Sequence, residues 1–150
     1  MKVLIELVSD KIEQLERFRE VTSRMICEDF DNIEQLMDER DGIIRAADAI
    51  SADIKQYVNS QPAEIQKTLT ETFRLKNRKE HPELYKVIDR MERLKLELKE
   101  LDEQALSRLK KLQKDLLNEM SETKKTKQVT DYFSQTGIDL SKGSNLNVKN

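Results

Sequence analysis

The sequence predicts an all-α protein: an elongated antiparallel helical bundle or coiled-coil hairpin of about four helices, with one long C-terminal helix and a flexible tail. Two observations support this fold class. Ala, Glu, Lys, Leu and Arg make up 68 of the 150 residues, close to the half that is typical of coiled coils and long helices. Three glycines and two prolines are also too few for the turns of a sandwich or barrel of short strands.

The first two predicted helices cover about residues 2–27 and 32–59. In both segments apolar side chains return every three or four positions, which is the spacing of one helix face. Asp31, with Glu34 three positions later, resembles a capping box and predicts where the second helix begins.

Two residues of the second helix depart from its apolar pattern. Arg40 occupies a position in the apolar stripe, where it either pairs with a carboxylate of a neighbouring helix or lies along the seam with its guanidinium in water. We prefer the second interpretation. Gly42, in the helix interior, either permits a close helix crossing or is merely tolerated at a cost of about 1 kcal/mol.

The third and fourth predicted helices cover about residues 61–76 and 82–124. Ser60 is a candidate N-cap for the third helix, and Pro82 begins the fourth. From there an apolar residue recurs every three or four positions as far as Met120, without proline or glycine. At 1.5 Å per residue this helix is about 65 Å long.

Helix lengths suggest how the chain is arranged. The second and third helices, about 42 and 24 Å long, together match the fourth. The chain is therefore expected to run out along the second and third helices, turn at residues 77–81 and return along the fourth, with the first helix antiparallel to the second. A parallel homodimer through the fourth helix is an alternative. The bundle domain would comprise residues 1–125, and the polar composition of residues 126–150 predicts a flexible tail.

The residue types exclude most catalytic and metal-binding chemistry. The single histidine, His81, precedes Pro82 and is expected to be an N-cap or a solvated turn residue. The single cysteine, Cys27, is expected to be a buried thiol between helices. One His and one Cys cannot form the usual zinc sites, and three separated glycines form no phosphate loop. We therefore expect no catalytic residue, no cofactor and no metal.

Membranes and nucleic acids are not expected as partners. The longest uncharged stretch has eight residues, 56–63, whereas a bilayer span needs about 20 apolar residues. A carboxylate at Glu6 interrupts the start too early for a secretory signal. The net charge is −2, and the lysines between residues 110 and 127 are not interleaved with aromatic residues. A cytoplasmic location is therefore expected.

A helical enzyme remains a less favoured alternative. All-helical chorismate mutases hold a small dianion with Arg and Lys side chains from several helices and need neither metal nor histidine. This chain has Arg45, Arg90 and Arg93 at helical positions, but their spacing does not distinguish them from salt-bridge partners.

The order of segments resembles the flagellar type III export chaperones of the FlgN-like and FliT-like kind. An acidic break, Glu28-Asp29-Phe30-Asp31, follows a leading helix, and the next helix carries Leu36, Glu39-Arg40 and Ile43-Ile44. A long charged C-terminal helix follows, as in that family. The segment Tyr132-Phe133, with Gly137-Ile138-Asp139, resembles the Tyr…Gly…Asp tail of some members.

The resemblance implies a cytoplasmic helical chaperone that uses neither nucleotide nor metal. Its partners would be late export substrates, the hook-associated (hook–filament junction) or filament-cap proteins, and the export apparatus. Binding in the family centres on the C-terminal region, and adjacent leucines with a flexible methionine would suit a helical partner. Carried onto this chain, the partner-binding residues are Leu109, Leu112, Leu116, Leu117, Met120, Val129, Tyr132 and Phe133. A structural coiled-coil or scaffold protein that self-associates through the long helix is the alternative.

Overall fold

The fold was analysed in a computed structural model that describes residues 1–121. About 88% of these residues are helical and none lies in a strand, so the all-α prediction is confirmed. The helices are α1 (Lys2–Cys27), α2 (Ile33–Asn59), α3 (Ala63–Phe73) and α4 (Pro82–Met120), with a 3₁₀ turn at Phe30–Asn32 before α2. The predicted tail at 126–150, and the predicted end of the fourth helix at 124, lie outside the described residues.

The junction between α2 and α3 differs from the prediction. Ser60 does not cap α3; its hydroxyl donates to the carbonyl oxygen of Tyr57 at 2.7 Å and so serves the end of α2. The N-cap position of α3 is occupied by Pro62, which has no side-chain donor or acceptor to offer. The helix therefore begins later than the apolar pattern suggested.

A left-handed residue ends α3. Leu75 has φ of 58°, and its amide donates to the carbonyl of Thr72, while the amide of Lys76 donates to that of Glu71, both at 2.9 Å. This pair of bonds is the Schellman pattern, in which the left-handed position usually belongs to glycine. Leucine at this position carries a conformational cost, because its Cβ crowds the backbone.

The helices are grouped in two compact units. The first comprises Met1–Arg19 and Asp41–Leu98, and the second comprises Glu20–Arg40 and the chain from Lys99 onward. In the first unit α1 and α2 are antiparallel: the Met1 amine donates to the Tyr57 hydroxyl at 3.2 Å, and Lys11 lies near Asp48.

In the same unit α1 and α4 run parallel. Glu16 pairs with Arg90 at 2.8 Å, and Arg19 pairs with Glu97 at 3.2 Å. Buried apolar side chains between the helices form the core of this unit: Leu4, Val8, Ile12, Leu15, Phe18, Ala47, Leu69, Leu84, Ile88, Met91, Leu94 and Leu98. The antiparallel packing of the first two helices agrees with the prediction.

The predicted path of the fourth helix is wrong. Leu84, in the first turn of α4, lines the same cavity as Met1 and Ile5 of α1. The fourth helix thus begins beside the first turn of α1, and not a helix length away from it. Matching lengths did not determine the partner, because the same apolar stripe packs equally well on any helix of suitable extent. The stripe through Leu98 is buried by the chain's own helices.

The second unit contains the end of α1, the start of α2 and the later part of α4. Its buried apolar residues are Val21, Met25, Ile33, Leu36, Ala105 and Leu109. Arg40, expected to reach water, is only 3% exposed, and its guanidinium donates to the Asp102 carboxylate of α4. The less favoured interpretation was correct, because the carboxylate that accepts this charge lies 62 positions away in the sequence.

Two smaller expectations are also resolved. Cys27 was expected to be buried, but it is exposed because it is the last residue of α1 and follows the last buried position, Met25. Gly42 has no atom within 4 Å of the place a Cβ would occupy, so it is not required for a close helix crossing. The glycine is tolerated there.

Candidate functional site

Within the second unit, α4 extends beyond both helices it packs against. Arg108 donates to the backbone carbonyl of Met25 at 2.5 Å, and α1 ends only two residues later. Arg40 of α2 lies level with Asp102 of α4, and α2 begins seven residues before Arg40. Because α2 and α4 run in opposite directions, the start of α2 lies level with about residue 109 of α4. The last ten residues of α4, 111–120, therefore continue for about 15 Å past the ends of α1 and α2.

This extension carries most of the predicted partner-binding residues that lie in the described part of the chain. Leu109 is the exception: it is 1% exposed and belongs to the core. Leu112, Leu116, Leu117 and Met120 are half-buried. At 100° per residue Leu112, Leu116 and Met120 lie within about 40° of the direction of Ala105 and Leu109, and Leu117 lies about 100° to one side of it. Val129, Tyr132 and Phe133 lie outside the described residues.

Charged side chains occupy the rest of this part of α4. At 100° per residue Asp115 and Glu119 lie on one side of the stripe and Lys110 on the other, while Lys111 and Lys114 both lie on the opposite face of the helix. All five are exposed. The stripe from Leu112 to Met120 is referred to below as the α4 end face.

A buried polar layer lies deeper in the same unit. Thr22 of α1, Arg40 of α2 and Asp102 of α4 are all buried, and Arg40 is ion-paired to Asp102. Burial raises the pKa of the Asp102 carboxyl, and the nearby guanidinium of Arg40 acts in the opposite direction. Among the described residues, no hydrogen-bond partner is found for Thr22 Oγ1 or for the second carboxylate oxygen of Asp102. The layer holds α2 and α4 in one axial register, a role documented for buried polar residues in coiled coils.

Sequence reasoning missed Asp102 as a core position. It falls in the seven-residue series Ile88, Lys95, Asp102, Leu109, which is one seam of a heptad. The prediction followed only the apolar residues of this helix. The sequence signal for a buried ion pair was a carboxylate in a heptad series of the fourth helix together with Arg40 in the apolar stripe of the second helix.

A second buried charge lies in the first unit. Lys11 of α1 is 7% exposed, and its pKa falls from 10.5 to about 8. Burial is the main cause, and the neighbouring ammonium of Lys95 adds to it; the carboxylates of Glu92 and Asp48 oppose the shift only in part. Lys95 itself bonds to Glu92 at 3.2 Å.

The first unit also has a polar cleft between α1 and α4. It encloses about 380 Å³, and its lining includes Arg90 and Arg93, two of the three arginines weighed for a helical enzyme. Arg90 is paired with Glu16 and Arg93 with Asp89. Arg45 is exposed and does not line this cleft. Arginines already neutralised by carboxylates do not form the convergent cationic site that a small dianion requires.

A more apolar groove of about 500 Å³ lies where α1 and α4 begin. Met1, Ile5, Pro82 and Leu84 contribute its apolar lining, and His81 lies at its side. The imidazole Nε2 of His81 is 3.1 Å from the Thr68 hydroxyl, and its backbone carbonyl accepts from the amide of Tyr85. These bonds give His81 a structural role at the start of α4.

Other kinds of site were sought in the described residues. No three His, Cys, Asp or Glu side chains of residues 1–121 come together as a metal site would need. No helix in that part of the chain combines the length and apolar character needed to cross a bilayer. Comparison of the whole chain with models of protein families, with curated proteins and with solved structures gave no match.

Proposed function

We propose that this protein is a cytoplasmic flagellar export chaperone that binds late export substrates, hook-associated or filament-cap proteins, through the C-terminal part of α4 and the following tail. The single observation that carries the proposal is that α4 extends about 15 Å beyond α1 and α2 while its apolar stripe continues to Met120. An apolar helix stripe beyond the end of its bundle is suited to receive the apolar face of another helix.

The side chains on this extension fit that task. Leu116 and the adjacent Leu117 widen the apolar face, and Met120 has a flexible side chain that adapts to partners of different shape. The predicted site is now centred on Leu112, Leu116, Leu117 and Met120, because Leu109 packs in the core. The resemblance of the acidic break and of the tail segment Tyr132-Phe133 to the export chaperones supplies the flagellar part of the proposal.

The test uses the purified full-length chain and a panel of purified hook–filament junction, filament-cap and filament proteins from motile cells. Binding is measured by isothermal titration calorimetry. We expect at least one late substrate to bind, and the double variant Leu116→Glu/Leu117→Glu to lose more than tenfold in affinity. Lys111→Glu, on the opposite face of α4, is the matched control and should bind within twofold of the wild type.

The contribution of the tail is tested in the same assay. Tyr132→Ala/Phe133→Ala should weaken substrate binding if the tail takes part. Circular dichroism of every variant checks that the helical content is retained. Binding of a late substrate that is unchanged by the variants of α4 and of the tail would contradict the assigned site, and failure of every panel member to bind would contradict the flagellar function.

A further inference from the structure

We propose that the core of the second unit binds a water molecule between the hydroxyl of Thr22 and the second carboxylate oxygen of Asp102. Among the described residues, Thr22 Oγ1 and Asp102 Oδ2 are the buried polar side-chain atoms for which no hydrogen-bond partner is found. Thr22 is 0% exposed and Asp102 is 1% exposed, so bulk solvent does not reach either atom. Buried polar groups in folded proteins nearly always have a partner, either in the protein or in an ordered water.

The two side chains lie at the same level of the bundle. Arg108 of α4 donates to the Met25 carbonyl of α1, and the two helices run in the same direction. Because a long side chain on a helix leans towards the helix N-terminus, the guanidinium of Arg108 lies about one turn before its own backbone, near residues 104–105. Thr22 comes three residues before Met25 and is therefore level with about residues 101–102 of α4.

The two side chains also share one core. The described part of the second unit consists of the end of α1, the start of α2 and the later part of α4, and buried side chains at one level of three helices meet in the space between them. The carboxylate of Asp102 lies in this space, because its Oδ1 accepts from the guanidinium of Arg40 of α2. Its Oδ2 and the Thr22 hydroxyl therefore lie in the same layer, yet no direct hydrogen bond joins them.

Water has the chemistry that both atoms require. A carboxylate oxygen only accepts hydrogen bonds, whereas a hydroxyl both donates and accepts. The Thr22 hydroxyl would donate to the water oxygen, and the water would donate one of its hydrogens to Asp102 Oδ2. Buried waters in globular proteins typically bond to polar groups of this kind, at about one water per 27 residues. A metal cation does not suit this place, because the guanidinium of Arg40 already lies beside the carboxylate.

The bound water would bring the first helix into the polar layer. Arg40 and Asp102 join α2 to α4. With the water in place, Thr22 of α1 is hydrogen-bonded to the same carboxylate, and the layer links all three helices of the second unit. The water site does not depend on the proposed function.

The direct test is a crystal structure of the full-length protein at a resolution that shows ordered waters. We expect a peak of electron density about 2.6–3.2 Å from both Thr22 Oγ1 and Asp102 Oδ2. A direct hydrogen bond between these two atoms, or a layer without a density peak between them, would overturn the proposal.

The sign of the effect of Thr22→Val on stability gives a second test, in solution. Valine has nearly the shape of threonine and lacks the hydroxyl. If the hydroxyl holds the water, its removal breaks a buried hydrogen bond, and the equilibrium constant of unfolding should rise about three- to tenfold. If the hydroxyl has no partner, the same change removes an unsatisfied polar group and the constant should fall. A fall would contradict the water site.

Two other threonines provide matched controls for urea unfolding followed by circular dichroism. Thr70→Val, at an exposed position of α3, should change the equilibrium constant by no more than about twofold, because solvent replaces the lost hydrogen bond. Thr72→Val removes a buried hydroxyl that donates to the Thr68 carbonyl at 2.8 Å, and so measures the loss of a satisfied hydroxyl in this protein. An effect of Thr22→Val similar to that of Thr72→Val supports the water site, and an effect as small as that of Thr70→Val contradicts it.

Discussion

Replacing the buried Lys11 by methionine is expected to stabilise the protein at neutral pH. The pKa of Lys11 falls from 10.5 to about 8, and each unit corresponds to 1.36 kcal/mol of difference between the two protonation states. At pH 7 the ammonium is charged in both the folded and the unfolded chain, so its burial costs about 3 kcal/mol. Methionine has a similar length, fills the same volume and carries no charge.

The pH dependence gives a second and independent readout. Between about pH 8 and 10.5 the unfolded chain holds a proton on Lys11 that the folded chain has released. The free energy of unfolding of the wild type therefore gains a contribution from Lys11 that rises with pH across this window. Lys11→Met lacks this contribution. Its advantage of about 1–3 kcal/mol at pH 7 should therefore decline towards zero as the pH approaches 10.5.

The assay is urea unfolding followed by circular dichroism at 222 nm, at pH 7, 8, 9 and 10 and constant ionic strength. Lys55→Met, at an exposed position of α2, is the matched control and should change the free energy of unfolding by no more than about 0.5 kcal/mol at any pH. If Lys11→Met is less stable than the wild type at pH 7 by an amount that does not vary with pH, the reasoning is refuted. Attraction to Glu92 and Asp48 would then outweigh the cost of burial.

Three further sets of variants test other parts of the fold by the same unfolding assay. Arg40→Met or Asp102→Leu alone should each lower the free energy of unfolding by about 3–5 kcal/mol, because one buried charge loses its partner. The double variant should lie within about 2 kcal/mol of the wild type. If each single variant loses less than about 1 kcal/mol, the pair behaves like a surface ion pair. Gly42→Ala should stabilise by about 0.5–1 kcal/mol, since the Cβ meets no atom and alanine is the better helix former; a loss of stability would reveal a contact that the structure does not contain. Leu75 has φ of 58°, so Leu75→Gly should be about 1 kcal/mol more stable than Leu75→Ala. Both variants lose the leucine side chain, but only alanine keeps a Cβ in the left-handed region. Equal stability of the two variants would refute this argument.

Helix identity was predictable from local sequence, and helix partners were not. The first helix was predicted to the residue, the second to within one residue at its start, and Pro82 marked the start of the fourth. These limits follow from apolar periodicity and from residues that begin or end a helix, both of which act over a few positions. The third helix was predicted too long, because the left-handed residue that ends it is Leu75 and not the glycine that usually marks such a helix end in a sequence.

The errors concern contacts between residues far apart in the sequence. Arg40 was expected in water because its own helix offers no carboxylate at that seam position, and the partner Asp102 lies 62 residues away. Lys11 was not recognised as buried, since a lysine in a helix is usually solvated. Its burial depends on which side of α1 faces α4, and periodicity in one helix cannot determine that. The predicted arrangement does make α1 and α4 parallel, but it places the start of α4 a helix length too far from the start of α1.

The candidate site stays a prediction, and the structure describes only the part of it that lies on α4. The family resemblance indicated the C-terminal part of the fourth helix, whereas the structure gives a physical reason why Leu112 to Met120 differ from the stripe before them. The pair Arg40–Asp102 holds α4 at one axial position against α2, and the bond from Arg108 to the Met25 carbonyl does the same against α1.

These two contacts determine where the bundle stops and where the α4 end face begins. A shift of α4 by one heptad would separate Arg40 from Asp102, and the cost of two buried unpaired charges opposes such a shift. The register of the core therefore determines how much of α4 extends beyond α1 and α2. It also follows that the double variant at Arg40 and Asp102, even if as stable as the wild type, should have a less well-defined register and should bind partner helices more weakly at the α4 end face.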